Sequence, residues 1–361
     1  MAGLLAEGGR DEVLFVGTPD GLEARLVPEA GVAFYPIASA GFDRGNPLTL
    51  VTSVARVGMS IARALRLIMR WRPDVVAGFG GYVSLPVGIA AVLTRTPLVL
   101  HEQNSVPGLA NRFLSRWART VAVTYESSIK HLRRPERVSV TGNPIRAAVA
   151  MASRDCGRRV FGASADDVVL LVFGGSRGAR HLNEALMRLW PKIAERDDVL
   201  VVHVAGASEG PAVRDAMAPA LEAPGRRYQL FEYLDDMGGA LAAADVVVSR
   251  AGATSIAEIT AVGRAAVLVP YPYATDDHQT LNARAVSVAG GAIVVPDAEL
   301  DDEGFEAAIL SLLSDAGKRA GMAAASAALG RPDAGRQVAD VIRFARQGEQ
   351  GALDPRTGDT E

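Results

Sequence analysis

The sequence predicts an α/β protein of two doubly wound parallel-sheet halves. Three observations predict it. Short β-rich apolar runs alternate with longer amphipathic stretches along the 361 residues. Most of these runs are apolar throughout, as expected of strands covered on both faces. The pattern also restarts near Val168 after the polar stretch Arg154–Asp167.

In chain order the runs predict strands at Val13–Val16, Val75–Gly78, Leu98–His101 and Thr120–Val123. After the restart they predict Val168–Phe173, Leu200–Val204, Tyr228–Phe231, Val246–Ser249 and Ala266–Val269. Helical periodicity lies between them at Ser53–Trp71, Ala179–Leu189, Thr254–Val262 and Gln279–Ala289. Repeated strand–helix–strand units favour right-handed parallel crossovers. The division falls at residues 1–147 and 148–332. A helix at 333–346 follows, then a polar, Gly-rich tail at 347–361 of disordered composition.

Composition narrows the function. Apolar residues make up 49% and charged residues 22%, and the formal charge is −3. That balance gives no global attraction to nucleic acid or anionic membrane, so lipid contact needs a local patch. The single cysteine, Cys156, can form no internal disulfide, which fits a reducing cytoplasm. No run of roughly 18 uncharged apolar residues is present to span a membrane. Five scattered histidines suggest no zinc site.

Six segments can carry chemistry. Gly174–Leu186 (GGSRGARHLNEAL) leaves a strand and opens a helix, so small residues and free N–H groups can approach a phosphate, with Ser176 adding a hydroxyl donor. Ser249–Ile259 repeats that geometry. Its run Ala251–Ser255 starts a helix that bears Glu258 on its first full turn, where a carboxylate can accept both hydroxyls of a ribose. Taken by itself, Glu258 reads better as a carboxylate favouring the positive end of the helix. Pro270–Ala283 offers Gln279 and Asn282 to sugar hydroxyls. The neighbouring Asp276–Asp277 pair reads as solvated, so a metal is disfavoured. Gly78–Pro86 is a second glycine loop. Leu100–Arg112 brings His101, Glu102, Gln103 and Asn104 to a strand's C-terminal edge, where α/β sheets bind ligands. Thr141–Arg146 ends the first half with Arg146, whose guanidinium suits a diphosphate.

Taken together, GGYVS, HEQN, GNPIR, GGSRGA-x-x-LN, the run Tyr233–Met237, the small residues leading to Glu258, and HQTLNA resemble the MurG family in kind and order. The resemblance runs from about Val13 to about Arg346. It implies a GT-B fold: two Rossmann-like domains, an interdomain cleft and a last helix crossing back to the first. It implies an inverting, metal-independent and cofactor-free hexosyltransferase. The enzyme would move N-acetylglucosamine from UDP-N-acetylglucosamine to the muramyl 4-hydroxyl of lipid I (undecaprenyl-pyrophosphoryl-MurNAc-pentapeptide) at the cytoplasmic face of the membrane, forming lipid II for peptidoglycan. Nucleic acid is not a partner.

By the same resemblance the backbone of Leu234 holds the uracil and Glu258 the ribose. The diphosphate lies against Ser176, Arg146 and the helix start at Ala253, Thr254 and Ser255, continuing through Ile256 and Ala257. Gln279 meets the sugar, and Asn104 faces the donor from the first domain. Ile61–Arg72, IARALRLIMRWR, supplies a basic and apolar membrane patch, with Asn111–Arg119 extending it. The residues alone favour a core helix with a solvated basic face.

The family begins with a strand and a GGTGGH-type loop whose His is a candidate base. Here the first residues resemble the following helix, so that strand, loop and His are expected to be missing and the sheet centre to carry unmet edges. The base is left unassigned, with His101 and Glu102 as first-half candidates. Rival readings are a GT-B transferase for another lipid, an impaired UDP-N-acetylglucosamine-binding paralogue, a UDP-N-acetylglucosamine 2-epimerase and, for want of its fingerprint least of all, a nicotinamide oxidoreductase.

Overall fold

The computed structural model describes all residues except 7, 8, 10, 39–46, 176–178, 224, 226 and 348–361. The tail expected after residue 346 therefore lies almost wholly outside the described residues. The chain forms two compact units. One runs from the N-terminus to Pro144 and takes in the helix Ala334–Gln347; the other is Ile145–Pro332.

Among the described residues the second unit holds six strands: β7 (Val168–Phe173), β8 (Val199–Val204), β9 (Tyr228–Phe231), β10 (Val246–Arg250), β11 (Ala265–Val269) and β12 (Ala292–Val294). All pair in parallel, in the order β12-β11-β10-β7-β8-β9. That is the doubly wound order that places ligands at the carboxyl ends of the strands. The continuous apolar runs follow from two-sided cover. Successive side chains of a strand point to opposite faces. Leu170 and Val172 pack with Leu182, Leu186 and Ile309 on one face, while Val169 and Leu171 pack with Leu241, Ile259 and Val286 on the other. Full burial of each such side chain contributes about 1.5–3 kcal/mol.

One polar chain crosses the first of these cores. His203 Nδ1 meets Tyr228 Oη at 2.6 Å, and its Nε2 meets Asn183 Oδ1 at 3.0 Å. Asn183 Nδ2 donates onward to the Ala205 carbonyl at 3.0 Å. Burial lowers the His203 pKa to about 4, so the ring is neutral and every ring nitrogen has a partner.

The first unit holds β1 (Leu14–Gly17), β2 (Ala33–Pro36), β3 (Val76–Gly78), β4 (Leu98–Glu102), β5 (Thr120–Val123) and β6 (Val138–Val140). Its strands fall into two separate parallel sheets, β1-β2 and β3-β4-β5-β6. A cavity of about 820 Å³ lies between the edges of β1 and β3 that no described strand pairs. It is lined by Val13–Thr18 on one side and Val75–Ser84 on the other. Helix Ala334–Gln347 covers one face of the larger sheet, packing Val338, Val341 and Ile342 on Val99 and Ala122. Arg343 donates from that helix to Asp11 at 3.1 Å and to the Leu4 carbonyl at 3.3 Å.

Three strands have no counterpart in the sequence reading: β2, β6 and β12. Each is three or four residues long and lies at a sheet edge. An edge strand is only partly covered, so its apolar signal is weak.

Candidate functional site

Three of the chemistry-bearing segments, and the run Tyr233–Met237, leave the carboxyl ends of parallel strands in the second unit. β7 leads through Gly174–Ala179 to helix Arg180–Ile193. Gly175 there adopts φ 101°, a conformation that glycine takes without strain. Ser176 lies outside the described residues, and its phosphate role with it.

β10 leads to helix Ala253–Val262, with Gly252 extended as the N-cap (φ −66°, ψ 142°). Ala253 and Ile256 are buried, Ser255 and Ala257 half-buried and Thr254 exposed. Glu258 is the sixth residue of this helix and so lies in its second turn, one turn later than its expected place. The helix starts one residue earlier than the sequence suggests, because Gly252 takes the cap.

Glu258 is not idle. Arg146 Nε donates to its Oε1 at 2.9 Å and Nη2 to its Oε2 at 3.2 Å. The fork is parallel and bidentate, the geometry for which guanidinium is suited. Only 5% of the Glu258 side chain is exposed, against 53% for Arg146. The hydrogen bond to Glu258 raises the Arg146 pKa, and Tyr233 and Asp236 add to it. Two residues singled out for different parts of a nucleotide are thus each other's partners.

Leu234 is half-buried against the second core between β9 and helix Met237–Ala243. That helix is capped by Asp236, which accepts from Gly239 N at 2.8 Å. Gln279 Oε1 accepts from Tyr271 N at 3.0 Å, tying the loop after β11 to the helix His278–Val288. Asn282 is fully buried on the same helix. Asp276 and Asp277 are exposed and hold successive left-handed conformations, φ 53° and 50°. Strain of that kind persists where the surroundings over-determine it.

Sequence reasoning missed a second cluster at this edge. Arg250 ends β10 and meets Asp297 Oδ1 at 2.5 Å, while His181 Nδ1 meets Asp297 Oδ2 at 3.0 Å. Arg250 also lies over the Tyr271 ring, 5.7 Å from its centroid. Burial pushes the Asp297 carboxyl up, but His181 and Arg250 outweigh it and hold it below the usual range. The hydrogen bond to Asp297 raises His181 in turn. The available signal was positional for two of them: Arg250 and His181 come after predicted strands, whereas Asp297 comes after β12, which the sequence reading lacks.

In the first unit the end of β3 runs into Gly80 and Gly81, at φ 81° and 78°, and the Ser84 hydroxyl donates back to the Gly80 carbonyl. The end of β4 delivers His101 and Glu102, both buried. Glu102 Oε1 accepts from Asn104 N at 3.0 Å and Asn104 Nδ2 at 3.4 Å. Its Oε2 accepts from Gly108 N at 3.1 Å and Asn111 Nδ2 at 2.8 Å. The carboxylate therefore organises the loop 103–108. His101 Nε2 meets the Gly142 carbonyl at 3.0 Å, and burial lowers its pKa. Both candidate bases are internal groups of the loop scaffold, and neither is presented to solvent. Asn104 is half-exposed on the loop that Glu102 holds.

The surface of this unit narrows the membrane-facing expectation to part of its residues. On helix Pro47–Trp71, Ala64 and Ile68 are core residues and Leu65 packs against them. The apolar stripe of Ile61–Arg72 thus faces inward over much of its length, because the 3.6-residue period that aligns it also suits the core. The exposed face carries Met59, Met69, Arg63, Arg66 and Arg70. The second stretch is more telling. Phe113 and Trp117 stand 39% and 44% exposed, with the Arg116 guanidinium 4.7 and 4.9 Å from their rings. Among the described residues no helix is long and apolar enough to cross a membrane.

The comparisons with known proteins cover both units. The glycosyltransferase family 28 N-terminal domain matches residues 2–123, and the family's C-terminal domain matches 169–338. A UDP-N-acetylglucosamine–N-acetylmuramyl-(pentapeptide) pyrophosphoryl-undecaprenol N-acetylglucosamine transferase from Desulforudis audaxviator is 41% identical over 337 residues, 92% of this chain and 89% of that protein. The same enzyme of Halothermothrix orenii is 39% identical over 352 residues, 95% of each chain. Among solved structures, Acinetobacter baumannii MurG superimposes with a TM-score of 0.72 at 30% identity, covering 92% of this chain and 91% of that one.

Proposed function

The chain belongs to the MurG family within glycosyltransferase family 28, and from that premise we propose the reaction and the residues that serve it. The protein is a hexosyltransferase of GT-B fold that moves N-acetylglucosamine from UDP-N-acetylglucosamine to the muramyl 4-hydroxyl of lipid I, giving lipid II. The single observation that supports this most is near-full-length identity of about 40% with enzymes named for that transfer.

The muramyl oxygen attacks the anomeric carbon and its proton passes to solvent, while the bond from that carbon to the UDP oxygen breaks. Configuration inverts and UDP leaves with the electron pair. What must be stabilised is the charge growing on the diphosphate. The N–H groups at Ala253, Thr254 and Ser255 and the helix dipole behind them are fixed donors for it, and the Arg146 guanidinium adds a charged one, with no need of a metal. Ser176 joins them, and Ile256 and Ala257 complete the helix start. Glu258 takes the ribose hydroxyls, the Leu234 backbone the uracil, and Gln279 the sugar. Asn104, held by Glu102, serves the first-unit side of the reaction.

The acceptor is membrane-bound, so the protein works as a peripheral protein on the cytoplasmic face. The surface that supports this is Phe113, Trp117 and Arg116, with Arg63, Arg66 and Arg70 on helix Pro47–Trp71. Aromatic rings and arginines together suit an anionic interface. Labelled UDP-N-acetylglucosamine with lipid I, or with a diacylglycerol acceptor in its place, tests the reading. Transfer to the muramyl lipid alone is expected. Transfer to diacylglycerol alone would overturn it in favour of another lipid glycosyltransferase, and donor binding without turnover would leave a binding paralogue.

A further inference from the structure

The carboxylate of Glu258 and the guanidinium of Arg146 belong to the same unit, Ile145–Pro332. Arg146 is the N-cap of the short helix Ala147–Ala150, with extended backbone (φ −68°, ψ 138°). The pair it makes is lopsided. Glu258 is sealed and each of its oxygens accepts an N–H, whereas about half of the Arg146 side chain faces water. The guanidinium is therefore the outer cover of a buried carboxylate.

The function proposed above asks both groups to do something else. A ribose diol needs Glu258, and a diphosphate needs Arg146. Neither demand is met while the fork is closed: the guanidinium that the diphosphate needs is held on the carboxylate, and a carboxylate only 5% exposed has no open approach for two hydroxyls. We propose that the Arg146–Glu258 pair is a latch opened by the nucleotide itself. The two ribose hydroxyls replace the guanidinium on the carboxylate, and the released guanidinium turns to the diphosphate.

This inference rests on the uridine-diphosphate reading of this unit and adds a consequence that the reading lacks. The exchange leaves no charge without a partner only when both ends of the ligand are present. The carboxylate trades an N–H fork for two O–H donors, and the guanidinium trades one carboxylate for two phosphate groups. A nucleoside without phosphates must open the latch and offers Arg146 nothing in return. The pair thus discriminates against uridine in favour of UDP before any sugar is read.

The test uses the full chain, with uridine, 2′,3′-dideoxyuridine and UDP as ligands, measured by ligand-observed NMR and calorimetry. In Arg146→Ala the carboxylate is uncovered. Uridine is expected to bind about fivefold tighter, the worth of a half-exposed ion pair. UDP should bind roughly tenfold weaker, for loss of a charge-assisted fork. Dideoxyuridine, which has no hydroxyls to offer Glu258, should be unmoved. Uridine binding that stays the same or weakens, or a gain shared equally by dideoxyuridine, would sink the latch while leaving the UDP site standing. Failure of the unaltered chain to bind UDP at all would remove the underlying reading, and the latch with it. Arg146→Lys keeps the charge without the fork, and far-UV circular dichroism checks the fold of both variants. Should the alanine variant not fold, uridine must still bind the lysine variant more tightly than the parent, and unchanged binding there refutes the proposal.

Discussion

Replacing Glu102 by glutamine separates two accounts of a buried carboxylate at the end of β4. If Glu102 were a general base, the amide would abolish transfer and leave the fold alone. The structure assigns it to the loop 103–108, so the change should act on stability first. The amide oxygen of the substituted side chain can still accept from Asn104 N, but the new NH2 then faces the N–H of Gly108 and the Nδ2 of Asn111, which Oε2 now accepts at 3.1 and 2.8 Å. Flipping Asn111 offers no rescue: its Nδ2 also donates to the His101 carbonyl at 3.1 Å, where a flipped Oδ1 would meet another oxygen. Two bonds to a charged acceptor, each worth about 1.5–3 kcal/mol, are lost, with partial relaxation offsetting some of it. The expected cost is about 3 kcal/mol in the first unit. Urea unfolding followed by the near-UV signal of Trp71 and Trp117 should show an earlier transition for this unit, with the transition of the other unit in place. In transfer assays, KM for the lipid acceptor should rise more than kcat falls. A variant with unchanged urea midpoint and no turnover would refute the organising role and restore Glu102 as a base.

Two further outcomes are expected. His203 is held neutral in the second unit's core with a pKa of about 4, against about 6.5 when unfolded. Its folded pKa is depressed, so stability from this group is complete above pH 6.5 and declines as pH falls toward 4. The total is about 3 kcal/mol. His203→Gln should flatten that acid limb in urea midpoints measured from about pH 7 to about pH 4, and an unchanged limb would place the acid sensitivity elsewhere. At the surface of the first unit, Trp117→Glu and Arg116→Glu together should cut partitioning onto vesicles of anionic phospholipid by about tenfold or more, by loss of an interfacial ring and reversal of a charge. Equal partitioning by flotation would move the membrane contact away from this face.

The second unit was largely legible in the sequence because its strands are sealed on both faces. Val168–Phe173 has no polar residue, a buried parallel strand admits none, and its predicted limits match the observed ones. Legibility fell where burial was partial, as at β2, β6 and β12, whose residues need not be apolar to stay in place. It fell again where one pattern served two ends. The stripe of Ile61–Arg72 satisfies the helical period whether it meets lipid or the protein's own core, and only the packed structure shows Ala64 and Ile68 facing inward.

The candidate site divides in the same way. Motif order singled out Arg146, Glu258, Gln279 and Asn104 one at a time, because each follows a strand end or opens a helix. Pairing is a property of three dimensions. That Arg146 covers Glu258 across 112 positions of sequence, or that Asp297 gathers His181 and Arg250, leaves no local trace, since charged residues at loop ends are common on any surface. Glu102 shows the converse. Its carboxylate invited a chemical role because a charge beside a strand end is poor core material, and that reasoning is sound as far as it goes. A buried charge does need partners, and here a turn of backbone and two asparagine side chains supply them. The same burial that satisfies the carboxylate withdraws it from the substrate, so the feature that made Glu102 conspicuous in the sequence is what fits it for holding Asn104 in place.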